Sequence, residues 1–209
     1  MKKLQSTLPN MILSLGVITI VAASLLAWTH SVTQEPIEAA ARQKQTDAIK
    51  AVAPKFDNDP SADAWEYTPE GATEAFVVYP AMLDGKLNGA AVKGYTNTGF
   101  SGYVQVMYGF AADGTVTGYE VLSHAETPGL GAKMNEWFRM EAGNRSVIGK
   151  NPEATPMYVS KDVAGGIDAI TAATISSRAF LNALRDSFDA YKAYSSQLSN
   201  TTNTADKDE

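Results

Sequence analysis

The sequence predicts an α+β fold: an antiparallel sheet with packed helices, preceded by a single N-terminal transmembrane helix. Three observations carry that expectation. Residues 8–29 form an almost unbroken apolar run. Residues 75–122 contain alternating apolar segments separated by Asp-Gly pairs. Residues 178–194 repeat large apolar side chains at helical spacing. A length of 209 residues suits one domain of ordinary size with appendages.

The apolar run from Leu8 to Thr29 comes first. About twenty helical residues span roughly 30 Å, the thickness of a bilayer's hydrocarbon core. Trp28 stands at its far edge, where interfacial aromatics prefer to sit. A cleaved signal sequence would have a shorter run followed by a small-x-small site, and Leu25-Leu-Ala-Trp28 does not supply one. The division expected is a cytoplasmic N-terminus over 1–8 and a transmembrane anchor over 9–29. Lys2 and Lys3 place the N-terminus on the cytoplasmic side, because basic flanks stay inside. The remainder then lies outside the cytoplasm. Beyond residue 33 the chain carries 15 basic and 23 acidic side chains, so the acidic excess belongs to that part.

Residues 30–60 read as a helical spacer. Glu35 to Val52 forms a helix with Pro36 at its first position, and Pro54 with Asp57-Asn-Asp-Pro60 ends it. The folded domain is placed at 61–194. Ala75–Tyr79 and Ala90–Thr96 flank the Asp84-Gly85 turn. Tyr103–Phe110 sets Val104, Val106, Tyr108 and Phe110 on one face. Asp113-Gly114 turns into Thr115–Leu122, where Gly118 marks a bulge. Three or four antiparallel strands follow. Ala132–Met140 reads as a short helix, and Arg178–Tyr194 as an amphipathic one, striped by Phe180, Ala183, Leu184, Phe188 and Tyr191. Residues 195–209 read as a polar, disordered tail.

Composition narrows the chemistry. The formal net charge of −6 argues against a nucleic-acid binder, which needs a clustered basic surface. The absence of cysteine excludes disulfides, thiolate-bound metal clusters and a thiol nucleophile. With two histidines, His30 and His124, a poly-His metal site is not expected. Redox chemistry here would need an organic cofactor.

Two segments stand out. Ser123-His-Ala-Glu-Thr-Pro-Gly-Leu-Gly131 joins a strand to a helix, and its glycines suit either a plain turn or a loop approaching a ligand. Gly165-Gly-Ile-Asp-Ala-Ile-Thr-Ala-Ala-Thr-Ile-Ser-Ser177 gathers hydroxyls before the last helix. Ser176 or Ser177 could cap that helix. A phosphate there would meet free N–H groups and the positive end of the dipole. From the residues alone, a hydroxyl-rich cap and a ligand site both stand.

Taken together the two segments resemble a known family. Asp168-Ala-Ile-Thr171-Ala172-Ala173-Thr174 is similar to the D-x-x-[ST]-G-A-T signature of covalent FMN attachment, and Glu126-Thr-Pro-Gly-Leu-Gly131 is similar to the E-T-P-G-L-G loop of the same FMN-binding domain family. Gly99-Phe-Ser-Gly-Tyr103 also matches the family's look. With one anchor and about this length, the chain resembles the RnfG family, the G components of Rnf electron-transport complexes. The alternative within the redox class is the related family of C components of sodium-pumping NADH:quinone oxidoreductases, which share the FMN domain on a longer chain. A cofactor-free anchored binding or assembly module is the alternative outside the redox class.

The resemblance implies FMN joined by a phosphoester to Thr174 by a separate flavin transferase, which uses FAD and releases AMP. Asp168, Thr171, Ala172 and Ala173 would form the recognised sequence. Glu126, Thr127, Gly129, Leu130 and Gly131 would lie beside the flavin, with Lys133 offsetting its charge. Tyr103 and Trp137 are read as core packing before ring stacking, and His124 as the end of a strand. The signature usually has Gly where Ala172 stands, so a left-handed backbone there would strain Ala by about 1 kcal/mol or more. The partners implied are the other members of a membrane redox complex in the bacterial inner membrane. NAD should bind elsewhere, because a G-x-G-x-x-G after a strand is not found in this sequence.

Overall fold

A computed structural model describes residues 7–205. The chain divides into two compact units, the first ending at Lys44 and the second beginning at Gln45. Lys2 and Lys3, which carry the expected orientation, lie outside the described residues, as do residues 206–209 of the expected tail.

The first unit is helical. Helix α1 runs Leu8–Val52 without interruption, with Pro36 in its interior. This corrects the expectation of a separate helix starting at Pro36. Proline removes one backbone bond there. Its neighbours compensate: Gln34 donates to Glu38 at 3.0 Å, and Arg42 pairs with Glu38 at 3.5 Å. Both are i,i+4 pairs, which support a helix across the missing bond. The apolar part of α1 is long enough to cross a membrane and is exposed on all sides.

The second unit opens with the last turns of α1. Ala48, Ile49 and Val52 bury themselves against Tyr79, Ala91 and Met107. The helix ends at Val52, whose carbonyl accepts the Thr117 hydroxyl at 2.5 Å. That bond satisfies one of the carbonyls every helix end leaves free.

Five antiparallel strands follow in sequence order: β1 (Trp65–Tyr67), β2 (Phe76–Leu83), β3 (Lys86–Gly99), β4 (Gly102–Ala111) and β5 (Val116–His124). The short strand β1 exceeds the three or four expected, because three residues carry too little alternation to read as a strand. Asp84 (φ 50°) and Gly85 (φ 73°) form the β2–β3 turn, the left-handed pair that matches strand twist. A register shift in β5 falls at Thr117, beside Gly118. Val104, Val106, Tyr108 and Phe110 are fully buried on one face.

Helix α2 (Met134–Trp137) follows a 3₁₀ turn at Gly131–Lys133, and α3 runs Thr174–Ala205. Phe180 of α3 is the centre of the main core. It stacks on Phe138 at 4.3 Å and meets the edges of Tyr108 and Tyr119. The Tyr108 hydroxyl donates to the Phe180 carbonyl, and the Tyr119 hydroxyl to that of Met134. Burial pushes the Tyr119 phenol up to about 12 and the Tyr108 phenol well above its ordinary value, so both act as neutral donors.

Helix α3 departs from expectation at both ends. It begins at Thr174 rather than Arg178, and it continues through residues expected to be a disordered tail. At the start, the Ser177 hydroxyl donates to the Ala173 carbonyl and accepts the Ile170 N–H, tying the first turn to the preceding loop. At the far end, residues 195–205 contain no Gly or Pro to stop the helix. Ser195 and Ser199 hydroxyls fold back onto carbonyls three and four residues earlier.

Candidate functional site

The sheet, the loop after β5 and the start of α3 converge on Glu126. This side chain is buried, with 5% exposure, and both its oxygens accept hydrogen bonds. The Ser101 N–H at the β3–β4 turn donates to Oε1 at 3.2 Å, and the Ser176 hydroxyl of α3 donates to Oε2 at 2.6 Å. The Glu126 N–H donates to Nδ1 of His124, the last residue of β5. Two glycines make room for the carboxylate. A Cβ at Gly131 would sit 2.4 Å from both Glu126 Oε2 and Ser176 Oγ; one at Gly99 would sit 2.6 Å from Oε1. Gly131 and Gly99 are therefore required by the close approach of this side chain.

Above this bridge lies a cleft of about 320 Å³. Glu126, Thr127, Leu130 and Gly131 line one side, and Ala172, Ala173 and Thr174 the other. Seven of the residues expected at the site thus meet across one cavity. Phe100, Ile175 and Ser176 complete the lining and are not part of that expectation. Phe100, at 68% exposure, and Ile175, at 48%, are apolar side chains left open to solvent, a signal detectable in sequence only once their elements are placed. Ser176 reads as a helix cap in the sequence. The structure instead puts it inside the first turn, facing Glu126.

The other expected residues stand apart from the lining. Gly129 has φ 77° and turns the loop; Lys133 is on the 3₁₀ turn, exposed; Thr171 is exposed beside Ala172. Asp168 organises the preceding loop. Its Oδ2 accepts the Asn144 N–H at 2.9 Å, its Oδ1 the Ser160 hydroxyl at 3.2 Å, and its carbonyl the Trp137 indole N–H at 2.8 Å. Lys150 donates to the Asn144 side chain in the same loop, and burial lowers its ammonium below the ordinary range. Trp137 is half-buried against the core, with Arg145 over its ring at 4.2 Å. Tyr103 stacks on Tyr95 and donates to Glu74 at 3.0 Å. Burial, with Glu74 second, pushes the Tyr103 phenol up to about 12.

Ala172 has φ 61°. Among the described residues it shares a left-handed backbone with one other non-glycine, Asp84. The turn at Ala172 swings the chain from the 165–171 loop into α3, so that Thr174 opens the helix and lines the cleft. At that position the N–H groups of Thr174, Ile175 and Ser176 have no acceptor within the helix. The Ser177 N–H is the first to bond back, to Ala173 at 3.0 Å.

An FMN group fits this donor set. The apolar rim of Phe100, Leu130 and Ile175 suits a flat ring, while the start of a 32-residue helix suits a phosphate. Comparisons with known proteins agree. Residues 99–189 match the FMN-binding domain family, and residues 12–52 match the RnfG N-terminal region family. The G component of an ion-translocating oxidoreductase complex from Aliivibrio fischeri (strain MJ11) is 31% identical over 92% of this chain and 94% of its own length. The G component of the Na(+)-translocating ferredoxin:NAD(+) oxidoreductase complex of Acetobacterium woodii is 35% identical over 86% of this chain and 89% of its own. The corresponding component from Methanosarcina acetivorans is 31% identical over 86% and 92%. With an apolar N-terminal helix, an FMN-binding domain behind it and relatives matched along most of its length, this chain belongs to the RnfG family of ion-translocating oxidoreductase complexes.

Proposed function

We propose that this chain is the membrane-anchored electron carrier of an ion-translocating ferredoxin:NAD oxidoreductase complex, with FMN held covalently through Thr174. The observation that carries the reading is the placement of Thr174. It opens α3, it lines the cleft, and it faces the Glu126–Gly131 loop. A flavin transferase joins the Thr174 oxygen to the FMN phosphorus of FAD; the pyrophosphate bond breaks, AMP leaves and the hydroxyl gives up its proton. The chain is the substrate of that reaction, so it needs no internal base.

When bound, FMN supplies reversible uptake and release of electrons. The remaining work is done by the chain. Thr174 holds the group at fixed local concentration outside the cytoplasm, where replacement flavin is scarce. The first-turn N–H groups of α3 and its dipole offset the phosphate charge. Leu130, Ile175 and Phe100, apolar and open to solvent, would pack against the ring and keep water from it while leaving the site accessible to a redox partner. Helix α1 keeps the site at the membrane. Its apolar run carries no Asp, Glu, Lys or Arg from Leu8 to Gln34, so the ion pathway belongs to other members of the complex. The two N-terminal lysines favour an FMN domain on the extracytoplasmic side.

The test is direct. The full chain is coexpressed with a flavin transferase and exported, and its intact mass is measured beside an ultraviolet image of a denaturing gel. Wild type should gain one FMN unit and fluoresce. Thr174→Val should do neither while keeping its fold by circular dichroism. Wild type without the added mass under these conditions refutes the covalent assignment.

A further inference from the structure

We infer that the buried Glu126 carboxylate holds down the reduction potential of the flavin in this cleft, and that Ser176 sets how strongly it does so. The inference rests on the assignment of FMN to the cleft. Its basis is the charge inventory of the walls. Among the described residues lining the cleft, Glu126 is the one ionisable side chain, and Lys or Arg is not among them. Lys133, the nearest basic residue in the loop sequence, stands outside the lining.

Reduction adds negative charge to a flavin unless protons follow. A fixed negative group in a poorly hydrated wall opposes that charge, and the opposition is stronger there than in water. Glu126 is 5% exposed and so is little screened by solvent. Both its oxygens act as acceptors, the pattern of a carboxylate. The Ser176 hydroxyl at 2.6 Å and the Ser101 N–H at 3.2 Å draw off part of its charge. Ser176 touches the carboxylate and also lines the cleft, so it sets the net field there. It is a positioning residue, holding Glu126 across a separation of 50 residues.

Geometry permits a clean exchange. In Glu126→Gln the amide oxygen can accept the Ser101 N–H while the amide nitrogen donates to Ser176 Oγ, since a hydroxyl is both donor and acceptor. The shape and the bridge survive; the charge does not. Ser176→Ala does the reverse, keeping the charge and removing a donor that tempers it.

The experiment uses the full chain, coexpressed with the transferase and purified in detergent. Intact mass and midpoint potential are read for each variant. Glu126→Gln should keep its added FMN mass and shift tenfold or more toward the reduced cofactor, about 30 mV for an electron pair. Ser176→Ala should shift at least threefold the other way. A Glu126→Gln potential within threefold of wild type overturns the inference, and so does a Ser176→Ala potential that is unchanged or rises. If Glu126→Gln takes up no flavin, Ser176→Ala decides alone: a fall supports the role, and no change or a rise overturns it. Absence of FMN mass on wild type is a separate result that removes the cofactor assignment itself.

Discussion

Replacing Ala172 with Gly should make this protein more stable. Ala172 is exposed and has φ 61°. In that region an L residue brings its Cβ against the carbonyl oxygen, at a cost of about 1–2 kcal/mol. Gly removes that contact but returns freedom to the unfolded chain, worth about 0.4–1 kcal/mol. The difference is a gain of about 0.5–1 kcal/mol. For a folded unit of this size, each kcal/mol moves Tm by about 2–4 °C, so Ala172→Gly should raise Tm by about 1–4 °C. The measurement is thermal unfolding by near-ultraviolet circular dichroism. The full chain is produced without the transferase, so that an attached cofactor does not contribute. Ala173→Gly is the internal control. Ala173 is buried, has no left-handed backbone and gives its carbonyl to Ser177. There the backbone cost and the lost methyl burial add to a destabilisation of about 1–2 kcal/mol. The reasoning is refuted if Ala172→Gly lowers Tm, or if both variants shift in the same direction.

Other substitutions probe the packing of the α1 end against the sheet and an ion pair at the start of α3. A Cβ at Gly109 would lie 2.0 Å from the Val52 carbonyl oxygen, whereas one at Gly118 would lie 3.7 Å from Val52 Cα, an ordinary contact. Gly109→Ala should therefore cost about 1–3 kcal/mol in urea unfolding through overpacking, and Gly118→Ala should cost clearly less. Arg178 binds both oxygens of Asp162, at 2.6 and 2.7 Å, and holds that carboxyl below the usual aspartate range. A lowered folded value means that the pair is intact above the ordinary range and is lost as pH falls through the lowered one. In a carbon-detected carboxyl titration, Arg178→Gln should return Asp162 toward ordinary aspartate behaviour; an unmoved titration would assign the depression to another cause.

Much of this organisation was legible in one dimension. The apolar run from Leu8, the alternation of Tyr103–Phe110 and the stripe through Phe180 and Phe188 are local periodicities, and each lies within an element of the kind it predicts, though the two helices run further than expected. Seven residues of the two motifs line one cleft, and it was their resemblance to a family, not residue type alone, that singled them out: by residue type a plain turn and a helix cap served as well. Misreadings came where local signals compete with distant partners. Pro36 resembles a helix start, yet flanking i,i+4 pairs carry the helix through it. Ser176 and Ser177 resemble caps, yet one reaches Glu126 and the other Ile170.

The sequence by itself determined the chemistry available: a hydroxyl at Thr174, no sulfur ligand from cysteine, two histidines, and an apolar segment long enough for a bilayer. Those are properties of residue type and spacing, and folding does not alter them. Only the tertiary structure decided which groups share the cleft. Glu126 and Ser176 are 50 residues apart in sequence and 2.6 Å apart in space. Ala172 takes a left-handed turn because the loop before it and the helix after it are each held by their own bonds. A buried carboxylate in a cleft wall is set by such closures. They arise when the sheet brings the ends of β3 and β5 beside α3, and no local pattern encodes that.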